Sequence, residues 1–421
     1  MPHQSAVTLL VPLPSEQRDR TAAALADLAG PARESLAFGR HKNLHFARLL
    51  LLDERTDPSG NQIGPQLIYT ADLDGEADAH LLALADLSGA GLDRAFGHCP
   101  GYPSRPDPAS RTAWLSAHRV PEAAFYVNTV GRGAPQVLAE ARLRRGLEEY
   151  LDEHRGEVAE LTAAEVHAAL RRHALTDVQL RFGAAPARRP PLWWRARELA
   201  HLVAVPAVLL VLSPVLLACL PLVAIVLRLH EMRDLPQRDR PDPAAVERLR
   251  ASEDRVAHNP FTAVGFLKPG RFRGLLARTV LFAISYAVRH VFNHGSLGGV
   301  KTIHFARWVY LAPGLMTFMS TYDGSLESYM DDFIDKIAWG LNAIFSNGIG
   351  YPPTVLLFWR GARNEELFKD HLRNHQALNQ VWYSAYDEFT ALNVGSNAAL
   401  RRGLAQRSMP EEQAREWLTL L

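Results

Sequence analysis

Leu44-His45-Phe46-Ala47-Arg48 and Ile303-His304-Phe305-Ala306-Arg307 are one pentapeptide written twice, with a single Leu-to-Ile exchange. Further blocks recur in the same order. Asp74-Gly75 returns as Asp323-Gly324, and at unchanged spacing Gly91-Leu92, Phe96 and Gly101-Tyr102-Pro103 return as Gly340-Leu341, Phe345 and Gly350-Tyr351-Pro352. Phe125-Tyr126 and Leu143-Arg144-Arg145-Gly146-Leu147 match Trp382-Tyr383 and Leu400-Arg401-Arg402-Gly403-Leu404. Ordered blocks with insertions only between them identify a tandem duplication.

Both copies read as the same series of elements. In the first, strands are expected at Ala6–Leu13, Leu44–Leu52, Gln66–Leu73 and Ala123–Val130, with helices at Ser15–Ala29 and Glu76–Phe96. In the second, Phe261–Leu267, Thr302–Leu311, Leu315–Tyr322 and Val381–Tyr386 take the strand slots, and Arg271–Phe292 and Leu326–Phe345 the helix slots. Val355–Phe358 and the helix Glu365–His375 read as an insertion. The order βαββαβ is that of a ferredoxin-like unit. The fold class is therefore α+β, with a first repeat over 1–175, a linker over 176–255 and a second repeat over 256–421.

The linker carries the sharpest shift in composition. Leu202–Leu227 contains no charged residue, and Ser213 is its one clearly polar side chain. Such a run exceeds the ~20 residues that cross a bilayer. Pro206, Pro214 and Pro221 interrupt it, so the reading is a membrane-inserted hairpin over about 193–233 with its tip at Ser213-Pro214. Trp193 and Trp194 suit the headgroup level. Both flanks are arginine-rich, which places the soluble parts on the cytoplasmic side. A single tilted span is the alternative. The basic, apolar stretch Arg271–Phe292 reads as a helix lying in the interface. The start Met1-Pro2-His3-Gln4 has no basic-then-apolar secretory pattern, which agrees with a cytoplasmic N-terminus.

Composition narrows the function classes. Over 421 residues, 46 basic and 45 acidic side chains give a net charge of +1, so no nucleic-acid partner is expected. Two cysteines, Cys99 and Cys219, make neither a disulfide framework nor a four-cysteine zinc site. Walker, dinucleotide-fingerprint and nucleophile-elbow motifs are absent. The expected partners are membrane lipid and a lipophilic small molecule; the sequence does not give the oligomeric state.

Two ferredoxin-like units in one chain resemble the dimeric α+β barrel superfamily, which includes dye-decolourising peroxidases, chlorite dismutases and small quinone-forming monooxygenases. The resemblance covers topology and duplication outside about 176–255, and no catalytic signature. It implies a pseudo-dimeric barrel, an oxidoreductase activity and haem as the candidate cofactor.

Candidate residues follow from strand alternation. Ile303, Phe305, Val309 and Leu311 form an apolar stripe, interrupted by Arg307, that is expected to pack on helices. His304, Ala306, Trp308 and Tyr310 then face the interior, and His45 does so by symmetry. Interior His45 and His304 can act as general bases or as haem ligands, or serve as hydrogen-bonded core histidines. Trp308 and Tyr310 become expected substrate contacts. Arg48 and Arg307, on the helix side, are expected to pair with helix carboxylates. Asp323 and Asp74 are expected to cap the helices that follow them. Asp323 also belongs to an Asp-Gly pair like the one that works on peroxide in dye-decolourising peroxidases. Tyr383 and Trp382 on the last strand, with Tyr386 beyond them, can line a pocket. Asn347 stands in the constrained loop before Pro352. Glu327, Asp331 and Asp335 share a helix face, and no dedicated metal site is read from them. The resulting expectation is a membrane-associated oxidoreductase, peroxidase- or monooxygenase-like, acting on a lipophilic molecule through His304, His45, Asp323 and Tyr383. Its alternative is a non-catalytic membrane-anchored module that binds a lipid or a partner.

Overall fold

The computed structural model describes residues 3–185, 192–254 and 257–421. The first half supplies β1 (Gln4–Pro12), α1 (Arg18–Ala29), β2 (Leu44–Leu52), β3 (Gln66–Asp74), α2 (Ala77–Leu87), α3 (Gly89–Phe96), α4 (Pro108–Ala117), β4 (Glu122–Val127), α5 (Ala134–Glu153) and α6 (Ala163–Thr176). The long helix α7 (Leu192–Glu231) follows. The second half supplies β5 (His258–Phe266), α8 (Arg271–His290), β6 (Ile303–Ala312), β7 (Leu315–Asp323), α9 (Leu326–Phe345), α10 (Glu365–His375), β8 (Val381–Ser384), α11 (Ala391–Leu404) and α12 (Glu411–Leu418).

The strands form two antiparallel four-stranded sheets, β1-β3-β2-β8 and β4-β6-β7-β5. Each half lends its last long strand to the other half's sheet: β8 pairs with β2, and β4 pairs with β6. The expected closed barrel does not form. The sheets face one another, and their edges meet at isolated bridges, Leu9 to Arg119 and Ala263 to Gln376, with a few backbone hydrogen bonds beside them. A second correction concerns α10. It precedes β8 as α4 precedes β4, so it is the counterpart of a helix in the first half rather than an insertion. The broken helix α2–α3 has its match in α9, whose backbone kinks at Ile337, the position equivalent to Ser88.

A β-bulge decides which side chains face which layer. In β2 the register passes from Leu44 opposite Leu73 to Phe46 opposite Asp72, leaving His45 as the extra residue. In β6 it passes from Ile303 opposite Tyr322 to Phe305 opposite Thr321, leaving His304. One extra residue shifts the alternation that follows it. The stripe expected to meet helices therefore meets the other sheet. Val309 and Leu311 join Leu50, Leu52, Ile68 and Val264 in an inter-sheet core, while Ala306 and Trp308 pack under the second half's helices. Each of these large apolar side chains contributes about 1.5–3 kcal/mol by leaving water. Arg48 and Arg307 also point between the sheets, contrary to the expected helix side.

Helix α7 is one continuous helix. The expected hairpin tip at Ser213-Pro214 is helical, with Ser213 Oγ donating to the Leu210 carbonyl. It is long and apolar enough to cross a membrane, and none of its most apolar stretch is buried. Both of its ends are anchored on the same body. Near the start, Glu198 accepts two hydrogen bonds from Arg289 at 2.7 and 2.6 Å, and Tyr286 donates to the Leu202 carbonyl. At the end, buried Glu231 accepts from Thr354 Oγ1 and from the backbone N–H groups of Leu356 and Leu357, while His230 stacks on Phe272. Between those anchors α7 rises about 42 Å, against about 21 Å of α8 from Phe272 to Tyr286. The middle of α7 thus stands off the body, and it carries the three prolines.

Candidate functional site

The bulges bring both repeated histidines to one end of the inter-sheet space. His45 Nε2 lies 3.0 Å from Asp74 Oδ1, and His304 Nε2 lies 2.7 Å from Asp323 Oδ1. All four side chains are buried. The aspartates do not cap the helices that directly follow them; Ser325 caps α9. Each instead accepts the first N–H of the helix after its half's fourth strand: Asp74 from Ala134 of α5 at 2.8 Å, and Asp323 from Ala391 of α11 at 2.7 Å. A helix N-terminus favours a carboxylate, so the Asp-Gly repeat ties strand end to helix start in both halves.

The symmetry then breaks. In the first half, His45 Nδ1 sits 2.7 Å from the Tyr386 hydroxyl. Because the Asp74 carboxylate can only accept, His45 donates from Nε2, and its free Nδ1 accepts the Tyr386 proton. Burial, and then the charges of Asp74, Asp72 and Asp323, hold the Tyr386 phenol well above its usual range. In the second half the neighbour is His258, which pairs with Asp323 in register where the first half has Gln4 opposite Asp74. His258 Nε2 donates to the Phe389 carbonyl at 2.6 Å and lies 3.6 Å from Asp323 Oδ1, while Nδ1 meets Ser384 Oγ at 3.0 Å. Burial, and then neighbouring His304, push His258 down to about 3. Phe46 packs among His258, His304 and Tyr386 and stacks on Trp382.

Of the residues proposed from the sequence, His45, His304 and Asp323 meet here. Trp382 joins them by stacking on Phe46, and the Arg48 guanidinium lies over the Trp382 ring. Tyr383 does not; it packs against Phe38 on the helix side, and Tyr386 takes the place expected of it. Trp308 packs at a tilt against Phe318 beneath the helices, and half-buried Tyr310 shares that core. Asn347 accepts a hydrogen bond from Arg273 elsewhere in the second half. Glu327 and Asp331 are bridged by Lys369, the second at 2.6 Å, so two of the three carboxylates on this face are already ion-paired. His258 and Asp74 were not singled out as site residues. The signal for Asp74 was the repeat itself, whereas His258 has no counterpart in the first half and lay before the expected strand.

Haem does not fit between the sheets. Phe46, Arg48, Leu50, Phe305, Arg307 and Val309 fill that space, and both repeated histidines are held by carboxylates. The cavity beside His45, His304 and Tyr386 measures about 20 Å³, room for one water. Larger space lies outside. Thr129 and Arg132 border that small cavity and also line a cleft of about 490 Å³, whose other wall includes Trp193 and Trp194 of α7. An adjoining cleft of about 460 Å³ shares Trp194, His3, Val130 and Asn293 with it. No family model, curated protein or solved structure matches the chain.

Proposed function

We propose that the protein is a membrane-anchored module that takes an amphipathic lipophile at the root of α7. The observation that carries this reading is the position of the 490 Å³ cleft, bounded on one side by Trp193 and Trp194 and on the other by Arg132, His294 and Arg402. Tryptophans at the start of an apolar helix suit the headgroup level, and the arginines opposite them suit a polar or anionic head. Exposed Leu275 and Phe282 extend the apolar surface along α8. The arginine-rich flanks of α7 favour the cytoplasmic face, and the shared anchorage of its two ends favours insertion without crossing. The exchanged fourth strands support reading the halves as two ferredoxin-like repeats.

The test is mass spectrometry of small molecules extracted from the full chain purified in mild detergent. Gly395 of α11 lines the cleft, and a Cβ there meets open space. A stoichiometric lipid or quinone in the wild type that is lost in Gly395→Trp supports the reading. A wild type with no retained lipophile overturns it.

The second reading is a haem-free oxidoreductase on the same lipophile. It is favoured by the Asp74–His45–Tyr386 relay, one residue layer behind the cleft wall. Oxygen consumption with a quinol substrate that Tyr386→Phe abolishes would establish it; none with the wild type rejects it.

A further inference from the structure

We infer that His258, His304 and Asp323 form a binding site for one divalent first-row transition cation, of the class of Zn²⁺ or Fe²⁺. Three buried side chains place their ligand atoms within 4.8 Å of one another. Two imidazole nitrogens and a carboxylate oxygen are a donor set that such cations prefer over calcium or magnesium. The geometry is close to what coordination needs. Bonds of about 2.0–2.1 Å in a tetrahedral site set the ligands about 3.3 Å apart. The separations from Asp323 Oδ1 are 2.7 Å to His304 Nε2 and 3.6 Å to His258 Nε2, one on each side of that value.

The surroundings supply the rest. The Phe389 carbonyl lies beside the cluster, 2.6 Å from His258 Nε2. His258 is neutral with its proton on Nε2; on coordination that proton moves to Nδ1, where Ser384 Oγ at 3.0 Å accepts it. A hydrogen bond to the outer nitrogen is the usual device that orients a ligating histidine. Asp323 Oδ2 is held by the Ala391 N–H, which leaves Oδ1 for the cation.

A comparison of the two halves gives a second reason. Asp323 is buried, and among the described residues no arginine or lysine contacts it. Its partners are two imidazoles and a backbone N–H. The histidine–aspartate pair is common to both halves, and only the second adds a further imidazole nitrogen to it, which makes the donor set one that a cation takes. In the first half Gln4 stands where the second has His258, so among the described residues the cluster belongs to the second half alone.

The experiment uses the full chain in detergent, stripped with a chelator and titrated with Co²⁺, then with Zn²⁺. One equivalent of Co²⁺ should give the visible absorption of a four-coordinate nitrogen–oxygen site, displaced by Zn²⁺, and Zn²⁺ should raise the melting temperature. His258→Gln and His304→Gln should lose the absorption, and His45→Gln should keep it. If the stripped wild type shows neither the absorption nor a zinc-dependent melting shift, the cluster is a hydrogen-bonded histidine–aspartate group and the inference fails. Equal loss in His45→Gln overturns it as well. Because the wild-type measurement decides alone, a variant that does not fold leaves the test intact.

Discussion

Arg48 and Arg307 cross the inter-sheet space in opposite directions, each ending on backbone carbonyls of the sheet it faces. Arg48 donates to the carbonyls of Phe261 and Ser320, and Arg307 to those of Val7 and Ala71. Their partners differ in charge, since Arg307 also has Glu122 at 3.9 Å. Arg307 forms an ion pair with Asp72, whereas Arg48 meets the hydroxyl of Thr321, the equivalent residue of the second half. Burial accordingly pushes Arg48 down to about 9. Removing Arg307 strands a buried carboxylate, which costs about 3–5 kcal/mol. Removing Arg48 strands no charge, only carbonyls, at about 1–3 kcal/mol each at most. Urea unfolding should therefore rank Arg307→Met well below Arg48→Met in stability. The reverse order would mean that the Asp72 ion pair is not the stronger tie.

Acid sensitivity has a named source in α2. His80 is buried with Nε2 at 2.9 Å from the Tyr69 hydroxyl and its ring 5.7 Å from that of His41. Burial, and then His41, push it down to about 3. An unfolded histidine titrates near 6.5, so between pH 6.5 and 3 the unfolded chain binds the extra proton. Stability from the neutral imidazole is full above pH 6.5 and falls as pH drops towards 3, by up to about 1.4 kcal/mol per pH unit. His80→Gln keeps an acceptor for Tyr69 and should flatten the pH dependence of the melting temperature in that window. An unchanged profile would assign the acid response to other groups.

The duplicated blocks made the order of elements legible, because each block carries local information: apolar alternation, Asp-Gly turns, a Gly-Tyr-Pro loop. Leu44–Leu52 and Leu326–Phe345 are strand and helix as the pattern requires. The facing of β2 and β6 was not legible. A bulge is a relation between two strands, and nothing in His45 or His304 announces an unpaired residue. Histidines placed in the interior by the wrong alternation are there because the bulge moves them. Exchange of β4 and β8 between sheets was equally invisible, since pairing partners of similar apolar strands depend on long-range closure. His258 was missed because its role comes from standing opposite Asp323, a fact of register.

The repeated glycine of Leu-Arg-Arg-Gly-Leu has a packing role that can be measured. At Gly403 a Cβ would overlap the indole of Trp417, whose Nε1 donates to the Leu400 carbonyl at 2.9 Å. At Gly146 a Cβ would meet Leu180 Cδ1 at 2.7 Å. The leucine end can rotate away, while the tethered indole cannot without losing its hydrogen bond. Gly403→Ala should cost about 1–3 kcal/mol by overpacking, and Gly146→Ala less. Denaturant midpoints with unchanged slopes would report this ranking. Equal costs would show that Trp417 yields as easily as Leu180.

Depth of α7 in a bilayer can be read from a native cysteine. Cys99 is buried in the first half's helix-side core, and burial pushes its thiol up to about 12, so it resists thiol reagents at neutral pH. Cys219 is exposed on the stretch of α7 that stands off the body. A nitroxide reagent on the wild-type protein in detergent should therefore couple at Cys219 alone. After reconstitution into vesicles, oxygen, which concentrates in hydrocarbon, should relax the spin label strongly, and a water-soluble nickel chelate should not. A label open to nickel would place α7 in water and remove the membrane from the account of the cleft. A label open to oxygen alone puts Trp193 and Trp194 at the bilayer boundary, the position from which the cleft can receive a lipophile directly.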